Sequence, residues 1–213
     1  MRVGLLGGTF DPIHRGHLDV ALAARDALQL TEVRLLPSAQ PPHRLPPLAS
    51  PEHRLAMAVE AARGVEGLTV SDIELRAEGP SYTTATLDRL ESAGLDLATA
   101  YFITGADAFR EIATWKGYPA ILDRCHFVVV SRLGMPASAI RAAVPALALR
   151  MVDAGEAAAD AASRRVIYLV DALTAPVSST EIRRRVATGG SIAGLVPPGV
   201  ASYIDRHGLY RGR

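Results

Sequence analysis

The 213-residue chain has one cysteine, Cys125, one lysine, Lys116, and no asparagine. A lone thiol supports neither an intrachain disulfide nor a cysteine-based zinc site, and the expected setting is a reducing compartment. No apolar run reaches the ~18 residues that a membrane-crossing helix needs. The opening segment MRVGLLGGTFDP meets glycine and proline too early for the apolar region of a signal peptide. The expectation is a cytoplasmic protein with no membrane contact. Net charge is also scarce: 23 Lys and Arg against 22 Asp and Glu leave +1. That excludes a nucleic-acid coat but not a local phosphate pocket. The absence of Asn and the single Lys fit a GC-rich coding sequence or heat adaptation, although the usual hot signature of Lys plus Glu is absent.

What is present is apolar: 49% of residues, enough for a sizeable core. The length predicts one domain over 1–213, with a small helical C-terminal part at about 178–213. Short apolar or β-branched runs at 2–6, 33–36, 68–75, 100–104, 126–131 and 166–170 predict strands. Between them lie helical patterns. Leu18, Ala21, Leu22 and Leu28 line one face of 17–29, Leu55, Val59 and Ala62 one face of 52–63, and Thr86, Leu87 and Leu90 one face of 83–93. Further helices are expected near 106–113, 119–124, 137–150, 179–187 and 199–206. Such alternation predicts an α/β fold: a Rossmann-like, doubly wound parallel sheet with helices on both faces. Ligands of such sheets bind outside the carboxyl ends of the strands, where strand order reverses. Segment 37–51 holds six prolines and reads as a loop. Segment 153–163, rich in Ala, Asp and Glu, reads as a solvated helix or mobile connection.

The densest chemistry is GGTFDPIHRGHL, residues 7–18. Gly7 and Gly8 allow a tight turn at a strand exit, Asp11-Pro12 bends the chain, and Gly16 opens a helix from about His17. Free N–H groups and the positive helix end favour a phosphate there. His14 and His17, three apart, can both point at it. The segment matches neither the dinucleotide fingerprint GxGxxG nor the Walker loop, whose lysine it lacks. A second grip lies in APVSSTEIRRR, 175–185. Ser178 and Glu181 have capping-box spacing, the hydroxyls of Ser179 and Thr180 join a second anion-binding helix start, and Arg183 offers a planar fork. Ile182 and Val186 give the buried side. Three successive arginines cannot all face one ligand, so Arg184 or Arg185 is expected in solvent.

HxGH (His14 to His17) after GGTFDP, together with SSTEIR, resembles the nucleotidyltransferase α/β-phosphodiesterase superfamily. PPHR (41–44), SYTTATL (81–87), FITGAD (102–107), Trp115 and LVPPGVASYIDRHGLY (195–210) make the chain similar to the bacterial nicotinate-nucleotide adenylyltransferases within it. The resemblance implies that Gly8, Thr9 and Phe10 lie beside the nucleotide. It implies that His14 and His17 contact ATP phosphates, with Ser178, Ser179, Thr180 and Arg183 opposite, and that Gly105 and Asp107 sit at the ribose or adenine. It assigns the pyridine ring to Trp115, by stacking, and to Thr83, through its backbone N–H, and puts His43, Arg44 and Arg132 near the mononucleotide phosphate. Lys116 stands where the family often has an aromatic residue, next to an anionic substrate. Three of these residues have a plain alternative: Trp115 as a core aromatic, Asp107 as a helix cap for 108–113, Arg44 as a solvated side chain. Cys125 reads as buried and inert, and His53, His126 and His207 as structural or exposed.

The implied partners are ATP and nicotinate mononucleotide, with catalytic roles for His17, His14 and Arg183. The phosphate of the mononucleotide would attack the α-phosphorus of ATP in line, needing no covalent nucleophile. Mg²⁺ would be held mainly by ATP phosphates, since no protein metal site is apparent. No nucleic-acid partner is expected, and oligomeric state is left open, a homodimer included. Three alternatives stay open at this point: a transferase with another phosphate acceptor such as phosphopantetheine, a nucleotide-binding regulatory module, and an interaction protein.

Overall fold

The computed structural model describes residues 1–41, 46–132, 134–155 and 164–212. Segment 156–163, most of the Ala-rich connection, lies outside them, as do His43 and Arg44. Seven strands run in chain order: β1 (Val3–Gly8), β2 (Glu32–Pro37), β3 (Leu68–Val70), β4 (Ala100–Gly105), β5 (His126–Val130), β6 (Met151–Asp153) and β7 (Ile167–Val170). Their spatial order is β3-β2-β1-β4-β5-β7-β6, and every pairing is parallel. The order reverses between β1 and β4, so the carboxyl ends at Gly8 and Gly105 flank the switch-point crevice.

Both faces of the sheet are covered, as the continuous apolar strands require. In β5, Val128 and Val130 join one core cluster while Phe127 and Val129 join the other. The first cluster is shared with α1 (Arg15–Leu28), α2 (Pro51–Ala62), α6 (Ser179–Ala187) and α7 (Pro198–Arg206). The second packs α3 (Thr83–Ser92), α4 (Ala106–Phe109), α5 (Ile140–Ala143) and several 3-10 turns. Thus the C-terminal helices are not a separate layer: Ile182, Val196, Val200 and Ile204 are buried in the same cluster as α1 and α2.

Several elements differ from expectation for local reasons. The third strand stops at Val70, because Leu75 N–H turns back onto the carbonyl of Asp72. The 106–113 helix is one short turn followed by a 3-10 turn, Ile112–Thr114, and 119–124 forms a 3-10 turn, Ala120–Asp123. The 137–150 helix breaks at Val144 (φ −130°, ψ 66°), because Pro145 excludes the α region from its predecessor. The short edge strand β6 follows, too brief to announce itself by alternation. Helix α2 is rotated: it buries Arg54, Met57, Ala58 and Ala61, while Val59 is 44% exposed.

Arg54 explains that rotation. It is 0% exposed and donates to four carbonyl oxygens: Thr9 (2.8 Å), Ser38 (2.6 Å), Ala39 (3.2 Å) and Ala49 (3.3 Å). These oxygens belong to the loop after β1, the loop after β2 and the residue before the α2 cap. Burial lowers the guanidinium pKa, with Asp11 opposing that shift. One cation thus replaces water for carbonyls that would otherwise be buried unpaired. Arg54→Leu leaves these acceptors stranded and is expected to destabilise the protein by ~3–5 kcal/mol. Urea unfolding of the two proteins measures it, and a loss below ~1 kcal/mol would contradict this account.

Candidate active site

The loop leaving β1 sets the site. Phe10 takes a left-handed conformation (φ 50°) and tucks its ring under Gly8, where a Cβ would lie 2.5 Å from Phe10 Cε1. The ring also meets His17 edge-on, with centroids 5.0 Å apart. Phe10 is 1% exposed, so it backs His17 and offers no surface to a ligand, a correction to the expectation that it lies beside one. The peptide Asp11-Pro12 is cis. Helix α1 begins at Arg15 and is capped by His14, two residues earlier than the expected start near His17.

His14 and His17 stack with centroids 3.7 Å apart, and His14 N–H donates to His17 Nδ1 (3.3 Å). The pair is therefore adjacent, as the spacing implied, but its members are not equivalent. His17 is half-buried, whereas His14 is 0% exposed and both of its ring nitrogens lack a hydrogen-bond partner. Burial first, and then the charge of Arg132, hold its pKa at about 3. His14 is thus a neutral imidazole behind His17 rather than a second exposed cation.

Helix α6 docks its first turn onto this loop. Ser179 Oγ donates to the carbonyl of Pro12 (2.9 Å), and Arg183 Nη1 donates to the carbonyl of Asp11 (2.6 Å). Ser178 is the cap, its Oγ accepting from Glu181 N–H (3.2 Å). The Glu181 carboxylate pairs with Arg184 (2.8 Å) and Arg185 (2.7 Å), so only the hydroxyl half of the expected capping box is made. Both arginines have exposed side chains. Thr180 is exposed and accepts from Arg183 Nη2 (3.3 Å). The segment before α6 crosses the start of α1: Ala175 N–H donates to Asp19 (2.8 Å), and a Cβ on Gly16 would lie 2.9 Å from the Ala175 carbonyl. Gly16 therefore supplies the close backbone approach that brings the two motifs together.

Across the switch point, Gly105 ends β4 and caps α4. A Cβ there would strike Asp107 Oδ1 and come within 2.8 Å of Arg132 Cδ. Asp107 is the second residue of α4 rather than its cap, and its buried Oδ1 has no hydrogen-bond partner. Arg132 lies 4.0 Å from Asp107 and acts on His14 electrostatically. It lies beside Asp107 and Gly105 at the carboxyl end of β4. Beside it a cavity of about 450 Å³, lined by Ser131, Arg132, Met135, Ala172 and Thr174, opens at the carboxyl ends of β5 and β7.

Thr83 is the first residue of α3 and half-buried. The Trp115 loop packs there: a Cβ on Gly117 would lie 2.6 Å from Thr84 Cγ2, and Lys116 Nζ stands 4.5 Å over the Tyr82 ring. Trp115 is half-buried and edge-on to Phe102 of β4 (6.1 Å), so core packing and ring stacking are not alternatives here. Cys125 is buried, its thiol pushed up to about 12 by desolvation.

Sequence reasoning missed Arg54, Tyr210 and the full role of Asp11. Asp11 accepts from Leu48 N–H (2.8 Å), Ala49 N–H (3.0 Å) and Tyr210 Oη (2.7 Å). A signal for Arg54 existed: positions 54, 57, 58 and 61 form one helical stripe, apolar apart from the arginine. Tyr210 carries no local signal. Among the described residues, no three His, Cys, Asp or Glu side chains gather as a metal site, and no helix is long and apolar enough to cross a membrane.

The cytidylyltransferase-like family model matches residues 5–185. A protein of Pseudomonas syringae pv. tomato, described as a probable nicotinate-nucleotide adenylyltransferase, is 43% identical over 213 residues, covering 99% of this chain and 94% of its own length. One of Desulfatibacillum aliphaticivorans, described in the same words, is 42% identical over 219 residues, covering 99% and 100%. Among solved structures, Plasmodium falciparum nicotinic acid mononucleotide adenylyltransferase complexed with NaAD superposes with a TM-score of 0.73. Its identity is 18%, over 98% of this chain and 97% of that one, a likeness of fold.

The burial of His14 is directly measurable. An unfolded imidazole titrates near 6.5 and the folded one near 3, so the unfolded chain binds the extra proton between these values. The contribution of this residue to stability should therefore fall as pH drops below 6.5 and level off near 3. In a ¹³C-resolved titration of the free protein, His14 Cε1 should keep its neutral-imidazole shift down to about pH 4. A midpoint near 6.5 would mean the ring is open to water.

Proposed function

The chain belongs to the cytidylyltransferase-like family and, within it, to the nicotinate-nucleotide adenylyltransferases, and from that premise we propose that it transfers AMP from ATP to nicotinate mononucleotide, giving nicotinate adenine dinucleotide and pyrophosphate in NAD biosynthesis. The observation that carries this reading is the docking of the Arg183 helix onto the carbonyls of Asp11 and Pro12, beside His17. It creates one cleft with imidazole on one wall and guanidinium plus helix N–H groups on the other, suited to a triphosphate.

ATP would enter at the switch point, its triphosphate between His17 and Arg183, with Gly8 and Thr9 alongside. Its ribose or base would meet Gly105, Asp107 and Arg132, and the neighbouring cavity offers room for the base. Nicotinate mononucleotide would lie toward Thr83, Trp115 and Lys116, where a helix N-terminus favours the pyridine carboxylate. His43 and Arg44 are proposed for its phosphate. An oxygen of that phosphate attacks the α-phosphorus in line. A new P–O bond forms, and the bond to the β-phosphate oxygen breaks, releasing pyrophosphate. The nucleophile is already anionic, so catalysis reduces to positioning and charge stabilisation. His17 donates a hydrogen bond to an α-phosphate oxygen. Neutral His14, buried behind His17, positions that ring by stacking and adds no charge. Arg183, Thr180 and the first N–H groups of α6 receive the leaving pyrophosphate. Ser178 and Ser179 act mainly as scaffold, since both hydroxyls already serve the fold. The donor set suits a Mg²⁺ carried by substrate: Asp11 is saturated, and no carboxylate cage surrounds the cleft among the described residues. When bound, the ion would screen charge on the ATP phosphates.

His17→Ala is expected to lose ~10²–10³ in kcat with folding intact, the usual effect of removing a preorganised donor. A near-normal rate would refute the role. Trp115→Ala should mainly raise KM for the pyridine nucleotide; an effect confined to the KM of ATP would contradict the arrangement. The function itself is tested by measuring pyrophosphate and dinucleotide from ATP with nicotinate or nicotinamide mononucleotide in parallel. Turnover with neither would overturn the proposal.

A further inference from the structure

Asp11 is 5% exposed, and its carboxylate accepts three hydrogen bonds from two distant parts of the chain. Leu48 N–H (2.8 Å) approaches Oδ2, while Ala49 N–H (3.0 Å) and the Tyr210 hydroxyl (2.7 Å) approach Oδ1. Arg183 makes only a long ion pair with it: Nη1 lies 3.7 Å from Oδ2, and its short bond of 2.6 Å goes to the main-chain carbonyl of the same residue. The guanidinium is thus anchored at one corner by a neutral oxygen.

The arrangement is electrostatically delicate. A buried carboxylate and a guanidinium this near gain by pairing directly. Full pairing would turn the fork of Arg183 inward and cancel the charge that a triphosphate needs. Three hydrogen bonds to the carboxylate lessen that pull by stabilising its charge in place. Two are backbone donors fixed by the loop. The third is a side chain from the far end of the chain, in the turn that follows α7, where Tyr210 is held in a left-handed conformation (φ 62°). Helix α7 itself rests on α2, where Tyr203 Oη meets His53 Nδ1 at 3.0 Å, and the turn carrying Tyr210 is tied back to it by Leu209 N–H on the carbonyl of Ile204 (3.0 Å).

We propose that Tyr210 is a positioning residue for ATP: its hydroxyl, bound to Oδ1, stabilises the Asp11 carboxylate so that the ion pair of Arg183 with Oδ2 stays long and the fork stays directed at the triphosphate. This rests on the reading that Arg183 grips ATP. It adds to the site a residue some two hundred positions from the first motif, which touches no substrate itself.

The test is a double-mutant cycle on the full chain, read by calorimetric binding of MgATP and by steady-state kinetics. Tyr210→Phe keeps the ring and removes only the donor. It is expected to weaken MgATP binding about tenfold, the scale of a hydrogen bond to a charged group, and to leave KM for nicotinate mononucleotide unchanged. Arg183→Ala should weaken MgATP binding at least as much. In that background, Tyr210→Phe should cost nothing further, because the group through which it acts is gone. Equal losses in both backgrounds, an unchanged MgATP affinity in Tyr210→Phe, or a parallel loss for both substrates would each overturn the proposal while leaving the role of Arg183 intact. If Arg183→Ala alone leaves MgATP affinity unchanged, the assignment of Arg183 fails and this inference fails with it.

Discussion

Two main-chain oxygens, those of Asp11 and Pro12, hold the site together. Onto them the first turn of α6 places a serine hydroxyl and a guanidinium. Without that docking, the glycine-rich exit of β1 and the arginine helix would be two separate anion-attracting ends, each weak alone. With it, the two segments meet at one edge of the sheet. The parallel sheet makes the meeting place available, because the carboxyl ends of β1 and β4 part there. The contact itself depends on the absence of a side chain at residue 16, where the main chain of 175 passes too close for a Cβ.

The scaffold beneath this contact is polar rather than oily. Arg54 feeds four carbonyls, and Asp11 gathers three donors. A loop that must present its N–H groups to a ligand turns its carbonyls inward, and these need donors that solvent cannot reach. The buried arginine meets that need for the loops after β1 and β2 together. On the other side, Thr86 Oγ donates to the buried Glu74 (2.7 Å), and Ser81 Oγ accepts from Ala39 N–H (2.9 Å). The entry to α3 is thus tied to the loop that Arg54 holds. Burial raises the pKa of Glu74, as expected for a carboxyl enclosed with few donors.

Much of this was legible in the residues. Continuous apolar strands gave a sheet covered on both sides, and the two motifs marked its ligand edge. The 83–93 stripe of Thr86, Leu87 and Leu90 is buried as its spacing implied. Less visible were features decided by contacts distant in sequence. The α2 face could not be chosen from apolar spacing, because one of its fully buried members is an arginine whose acceptors lie in two loops, after β1 and after β2. The unequal exposure of His14 and His17 could not be read from a three-residue interval; it follows from Phe10 supporting one ring and stacking covering the other. Arg132 follows a strand, and its nearness to Asp107 could not be read from that position. Tyr210 had no local pattern at all, since its meaning lies in a carboxylate near the other terminus.

That separation has a consequence for synthesis. The contacts that shape the cleft join residue 11 to residues 183 and 210, nearly the widest loops this chain can close. A polypeptide emerging from the ribosome exposes its histidine motif early, yet the opposing wall does not exist until the last helices have left the exit tunnel. Nucleotide chemistry is thereby withheld from partial chains, and any break late in translation yields a product with a nearly whole sheet and no working cleft.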